Sequence, residues 1–279
     1  MIRAIDIHTH FFPDAVAARA IPQMEESSGW KTCHDGTLSG LLGSMDAAGV
    51  ETSIVLPVAT NLHKVGSVNR FSASIDNGRI VMAGALHPGS PAWRDDLEEM
   101  LMLGFRAVKL HPDYQGFTVD DPKMLPFFAN LRDAGVTVIF HAGADPSYQP
   151  PFGAPPVRIA SLLDNLPGMQ VHASHMGGFQ HIDEVEQCLA GRENVVMDTS
   201  FSFGFIPDQR IRALIEAHGV ERIMFGTDSP WLDQTEQAGN VVKLGLGDRE
   251  TEMILYSNAR AMLDGWKAQG GRNTGDKED

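Results

Sequence analysis

Near the start of the chain, Asp6-Ile7-His8-Thr9-His10 sets two imidazoles two residues apart. Side chains alternate along an extended segment, so Asp6, His8 and His10 are expected on one face and Ile5 and Ile7 on the other. Two rings that leave a strand end in the same direction can grip one metal ion. Three later segments end in the same kind of group. The run 136–141 closes on His141, on the face of Thr137 and Ile139, and Gly143 follows to make room. The run 169–175 closes on His175, expected on the face of Val171 and Ala173, before Met176-Gly177-Gly178 turns the chain. In Met224-Phe225-Gly226-Thr227-Asp228-Ser229-Pro230, Asp228 falls on the face of Met224 and Gly226. Small inward residues such as Ala173 and Gly226 leave space for a group beside them. A further segment, Phe105-Arg106-Ala107-Val108-Lys109-Leu110-His111-Pro112, turns Lys109 and His111 to one face and Arg106 away from it.

These residues need a frame that brings strand ends together. Short β-branched runs are expected at 3–8, 52–58, 80–86, 106–110, 137–140, 170–174, 195–198 and 222–225, each followed by turn chemistry. Helical patterns lie between them at 38–48, 69–77, 92–102, 122–134, 156–165, 182–190, 208–218 and 234–244, with a last helix at 249–267. Apolar strands joined by helical crossovers must pair in parallel and be covered on both faces. About eight βα units in a chain of this length match an α/β fold of the (β/α)8 TIM-barrel type. The competing layout is an open doubly wound sheet, and no Gly-rich dinucleotide fingerprint follows any strand. Three stretches exceed ordinary connectors, 11–37, 113–121 and 142–155, and all follow strand ends, where barrels build their sites. Residues 1–268 read as a single domain and 269–279, Gly-rich and charged, as a disordered tail.

In combination the motifs resemble the metal-dependent amidohydrolase superfamily, in its amidohydrolase-related branch, similar to aminocarboxymuconate-semialdehyde decarboxylase-like enzymes. The resemblance is carried by Asp6-Ile7-His8-Thr9-His10, Phe140-His141-Ala142-Gly143, His175-Met176-Gly177-Gly178 and Gly226-Thr227-Asp228-Ser229-Pro230, with an echo in Ser257-Asn258-Ala259-Arg260. It implies a metal-dependent hydrolase type of barrel in which His8, His10, His141 and Asp228 are the metal ligands. Asp228 would also orient or deprotonate a water, and His175 would stabilise an oxyanion or shuttle a proton. Three imidazoles and a carboxylate suit Zn2+, and Mn2+, Co2+ or Fe2+ are served by the same donors. Such an ion brings bound water to a pKa of ~7.

Lys109 leaves the metal count open. In dihydroorotase-like and urease-like relatives a lysine at this strand is carboxylated and bridges two ions, in which case His141 and His175 would hold the second. Unmodified, Lys109 would pair with Asp6 or a substrate carboxylate beside a single ion, the arrangement that the branch favours. Asp6 itself reads as a carboxylate steadying a histidine ring from behind. His87 reads as a turn residue, and His34, His63, His172, His181 and His218 as surface or satisfied core groups. Asp198 and Ser200 could touch substrate, with a capping role for Ser200 equally open. Ordinary packing is preferred for Phe201, Phe203 and Phe205, and Trp30 and Trp231 could close over a ligand or anchor loops.

The leading function is hydrolysis of an amide, ester or lactone of a small molecule by metal-activated water. Non-oxidative decarboxylation of an aromatic or unsaturated carboxylic acid is the lyase alternative. A TatD-like nuclease shares the HxH start, but such relatives carry a glutamate where Lys109 sits. A catalytically inactive binding barrel is the non-enzyme alternative. With 22 Lys+Arg against 36 Asp+Glu the chain carries a formal −14, which opposes docking to a phosphate backbone. Two cysteines without CxxC spacing, Cys33 and Cys188, indicate no disulfide framework. No signal pattern or membrane-length apolar run is seen, so a cytoplasmic protein acting without membrane or nucleic acid is expected, and a homo-oligomer is left open.

Overall fold

The computed structural model describes residues 3–270. Parallel strands β1 (Ala4–Thr9), β2 (Val50–Val55) and β3 (Ile80–Met82) form one run of pairing. Strands β4 (Gly84–Ala85), β5 (Ala107–Leu110), β6 (Thr137–Phe140), β7 (Val171–Ala173), β8 (Val195–Asp198) and β9 (Ile223–Met224) form the other, again all parallel. The Ala83 amide donates to Val55 O, so β3 and β4 are one strand interrupted at Ala83. At the other edge the Ile7 amide donates to Phe225 O and the Asp228 amide to His8 O. The sheet therefore closes on itself as the expected TIM barrel, and the open doubly wound alternative is excluded.

Alternation sorts the strands into two packed layers. Ile5, Ile7, Ile54, Leu56, Val81, Ala83, Ala107, Ile139 and Met224 fill the barrel interior. Their neighbours along the chain, among them Val108, Val138, Phe140, Val171, Ala173 and Phe225, face outward into the layer under the helices. The interior is sealed at its base by Ala259, Leu263 and Trp266 of the terminal helix (Asn258–Ala268), whose Trp266 Nε1 donates to Thr137 Oγ1 at 2.9 Å. Asn258 pins that helix by donating through Nδ2 to Val220 O and Ile223 O, which gives the Asn258-Ala259 pair of the sequence a structural job. The preceding stretch is not one continuous helix: a helical turn at Asp248–Glu252 runs through a wide π turn at Met253–Ser257 into the terminal helix.

The other long departure from expectation is helix α1 (Asp14–Ser28) inside the connector 11–37. Only Ala17 and Ile21 of it are buried, so its sequence shows no apolar stripe to betray it. It ends at Gly29, which takes a left-handed φ of +75°. Helix α2 (Leu38–Ala48) then starts where Thr37 Oγ1 accepts from the Gly40 amide, and helix α3 (Val65–Ser74) follows β2. Gln269 and Gly270, expected to belong to the tail, receive the Arg106 guanidinium on their carbonyls, and the rest of the tail lies outside the described residues. Among the described residues no helix is long and apolar enough to cross a membrane.

Candidate metal centre

The first strand departs from simple alternation. Asp6 pairs with Ser53 and Thr9 with Val55, so three steps along β1 match two along β2. The extra residue turns Asp6 to the outer face while His8 and His10 remain at the barrel mouth. Asp6 accepts there from Thr227 Oγ1, Gln234 Nε2 and the backbone amides of Thr227 and His8. It meets no imidazole nitrogen and no lysine, contrary to the pairing expected from the sequence. Burial pushes its carboxyl up to about 7, against the lowering effect of these donors.

His8, His10 and Asp228 converge as expected. Asp228 Oδ1 lies 2.9 Å from His10 Nε2 and 3.5 Å from His8 Nε2, and one ligand atom of each residue falls within 4.8 Å of the others. Asp228 adopts a left-handed φ of +62° at the turn after β9. Gly226 is what allows the approach, because a Cβ there would meet the Cβ atoms of His8 and Asp198 at 3.0 Å. Burial works to raise the Asp228 carboxyl, but His8, His10 and His175 around it outweigh this and hold it below the ordinary carboxylate range.

The carboxylate that steadies a histidine ring is Asp198, at the end of β8. Its Oδ2 accepts from His8 Nδ1 at 3.0 Å and His172 Nε2 at 2.8 Å. Its Oδ1 accepts from the His175 and Ser200 amides and from the Ser200 hydroxyl. With the Nδ1 proton of His8 committed to a carboxylate, the Nε2 lone pair is the one that faces the centre. Burial opposes ionisation of Asp198, but His8 and His172 more than offset it and keep it an anion. Asp198 and Ser200 are thus sealed beneath the site rather than open to substrate.

Strand β7 reverses the faces expected of it. Its inner face carries His172 and Ser174, while Val171 and Ala173 pack outward. His175 reaches the mouth because it and Met176 take left-handed φ values of +59° and +53°, which turn the chain after the strand. Its Nδ1 lies 2.8 Å from Ser200 Oγ and its Nε2 3.0 Å from His141 Nδ1.

His141 stands on the expected inner face of β6 but beside a second group. Its Nε2 donates to Ala144 O at 3.0 Å, so Nδ1 is the acceptor toward His175. Its ring stacks on His111, with centroids 4.1 Å apart, and His111 Nε2 sits 3.1 Å from Asp145 Oδ2. His111, His141 and Asp145 form a donor group of their own, joined to the first through His175. His111 is legible at its strand end; Asp145 lies in an irregular loop and leaves no periodic signal.

Lys109 enters between them, 1% exposed, with Nζ 3.2 Å from His8 Nε2 and 3.0 Å from Ser174 Oγ. Burial brings its ammonium down to about 8 against the pull of Asp228 and Asp198. Burial likewise lowers His8 to about 4, with Lys109 adding to the effect, and depresses His111, His141 and His175. These rings are neutral at physiological pH, the state in which an imidazole can bind a metal. The donor set at His8, His10 and Asp228 fits a divalent ion: two nitrogens, one anionic oxygen, and an orienting carboxylate behind.

Above the centre opens a cavity of about 980 Å3. His8, His10, Lys109, His141, His175 and Asp228 all line its floor. Phe201, Trp30 and Trp231 are in its walls, whereas Phe203 packs outward and His87 keeps its turn role by accepting from the Gly89 amide.

A family model described as Amidohydrolase matches residues 5–265. No curated protein matches the chain. Among solved structures, an uncharacterized TIM-barrel protein from Bordetella bronchiseptica superposes with a TM-score of 0.78 at 20% identity, over 97% of this chain and 100% of that one. The 2,6-dihydroxybenzoate decarboxylase from Rhizobium superposes at 0.70 and 19% identity, covering 97% and 100%. A protein from Pseudomonas putida described as a 2-pyrone-4,6-dicarboxylic acid hydrolase gives 0.65 and 19%, covering 95% and 98%. Other matches include further decarboxylases of aromatic acids, one with bound manganese and the inhibitor 2-nitroresorcinol. At such identities the likeness carries the fold and leaves the reaction open.

Proposed function

The chain belongs to the amidohydrolase family, and from that premise we propose that it is a metal-dependent enzyme that decarboxylates an aromatic or unsaturated carboxylic acid without oxidation. The observation that carries this reading is a cavity with aromatic residues such as Trp30, Tyr114, Phe179 and Phe201 in its lining, whose floor gathers the His8–His10–Asp228 donor set, Lys109 and His175. Decarboxylases among the structural matches support it. His8, His10 and Asp228 would hold the ion, with His141 as fourth ligand once its ring turns away from Ala144 O and His175. Zn2+ suits the donors, and Mn2+ is supported by the manganese-bound match. When bound, the ion supplies Lewis-acid polarisation of substrate oxygens.

The protein's own groups account for the rest. The reaction adds a proton to the carbon that bears the carboxylate and breaks the bond to the carboxyl carbon, whose electron pair stays on the ring or chain as CO2 departs. Lys109 is placed to meet the carboxylate as its charge partner. His175, a neutral ring in the resting site, lines the floor and is placed to relay to that carbon a proton drawn from solvent. Ser200 Oγ, on its Nδ1, holds the ring in place. The aromatic walls exclude water and hold a planar substrate.

Hydrolysis of an ester, amide or lactone is the second reading, favoured by the hydrolase among the matches. There Asp228 would orient or deprotonate the attacking water and His175 would meet the developing oxyanion. Incubating metal-loaded protein in D2O with hydroxybenzoates, dienoates and lactones separates the two. Release of CO2 with deuterium at the vacated carbon is expected; acid release without CO2 would establish the hydrolase instead. His10→Ala is expected to abolish tight metal uptake while the circular dichroism of the fold persists, and unchanged metal content would remove His10 from the ligand set.

A further inference from the structure

The cavity is larger than the chemistry at its floor requires. Its volume, about 980 Å3, stands at the upper end of pockets that enclose drug-sized ligands. One wall is an aromatic cluster: Trp30 packs on Phe201 and Phe205 with centroids 5.5 and 5.3 Å apart, and Phe179 lies 5.5 Å from Phe201. Phe201 holds a left-handed φ of +48° that stands its ring 5.8 Å from His175, so this wall begins at the reacting centre. The other side carries Tyr114, stacked on His111 at 3.8 Å, and Tyr148 beyond it. Outward, the cavity continues as a channel between Val16 and Met24 of α1 and Val68 and Phe71 of α3.

The charges in the lining are as informative as the rings. Among the described residues the cavity is lined by two carboxylates, Asp145 and Asp228, and two lysines, Lys64 and Lys109, with no arginine. Lys109 is committed to the floor, and Lys64 stands exposed on the α3 side. A substrate with a second carboxylate or a phosphate would bring an anion into the channel with nothing bidentate to receive it. An apolar body buried there gains its full transfer free energy and aromatic stacking besides.

We propose that the substrate is a monoanionic aromatic acid with at least two fused or linked rings. Its carboxyl end sits at Lys109 and the metal centre, and its apolar end fills the channel between α1 and α3. The proposal rests on the carboxylate-binding reading of the floor and specifies what occupies the remainder.

Titration calorimetry on zinc-loaded protein with benzoate, 2-naphthoate, biphenyl-3-carboxylate and isophthalate tests it. Both two-ring acids are expected to bind about tenfold or more tighter than benzoate, and isophthalate no tighter than benzoate. Val16→Trp, on an exposed face of α1, and Val68→Trp are each expected to weaken 2-naphthoate about fivefold or more while shifting benzoate less than about twofold. Equal affinities for benzoate and 2-naphthoate, or isophthalate binding tightest, would overturn the proposal. If the two-ring preference holds but no acid tested yields CO2, the substrate class stands and the decarboxylation reading falls.

Discussion

Asp198 and Asp6 both lie buried close to the mouth, and only Asp198 meets an imidazole of the centre, through His8 Nδ1. Strict alternation puts Asp6 on the face of His8, and nothing in Asp6-Ile7-His8 reveals that an extra residue in β1 will turn the carboxylate outward. His8, His10 and Asp228 were legible from residue type at strand ends, whereas His175 reaches the mouth through a left-handed turn that the alternation of β7, with Val171 and Ala173 outward, does not foretell. Asp198 was legible as a strand end but not as the partner of His8, since that pairing joins residues 190 apart. Two substitutions separate the carboxylates. Asp198→Asn removes the charge that fixes the His8 tautomer, and zinc affinity measured by chelator competition is expected to fall about 10- to 100-fold. An unchanged affinity would show that His8 is oriented without it. Asp6→Asn puts an amide NH2 where one carboxylate oxygen accepted from Thr227 and Gln234. It is expected to cost about 1–3 kcal/mol of unfolding free energy in urea with metal stoichiometry intact; loss of the metal alone would return Asp6 to the centre.

At the level of elements, strands were read well and the insertion at the mouth was not. Barrel strands announce themselves as short apolar runs because both faces are covered, whereas α1 rests on the rim with Ala17 and Ile21 as its buried residues. Its residues answer to the cavity rather than to a core, so no helical period marks them. Gly143 illustrates the opposite case, where one residue type predicts a local contact. It sits at φ +88° in a parallel bridge with Phe179, and a Cβ would lie 2.4 Å from the Phe179 backbone nitrogen and oxygen. That bridge ties the loop after His141 to the turn after His175. Gly143→Ala must separate the two loops, and a loss of about 2–4 kcal/mol in stability is expected from the left-handed backbone and the main-chain clash together. Because the displaced loops carry His141 and His175, kcat should fall more steeply than KM rises; a variant as stable and active as the parent would mean that the bridge is dispensable.

Over the whole molecule, burying so many histidines makes stability a function of pH, and the sign can be worked out. In the folded chain His8, His111, His141, His175 and His218 are all held below their ordinary value of 6.5, with burial as the leading cause at each. Below pH 6.5 the unfolded chain therefore takes up protons that the folded chain refuses, and the folded state loses ground as pH falls. For His8 the window extends down to about 4, where the folded chain at last accepts the proton. Asp6 acts in the other direction: its folded value of about 7 against an ordinary 3.8 means that acid relieves the cost of a buried anion over that same range. Asp113, also raised by burial, acts in the same direction as Asp6, and the histidines, more numerous, remain dominant. Metal-free protein is thus expected to lose on the order of 3 kcal/mol of unfolding free energy between pH 6.5 and pH 5. Zinc should steepen the loss, since protons compete for the same ring nitrogens. Urea titrations at the two pH values, with and without zinc, give the measurement. A midpoint that holds or rises on acidification would mean that the rings are already charged in the folded chain, and a centre built from charged imidazoles could not receive a cation.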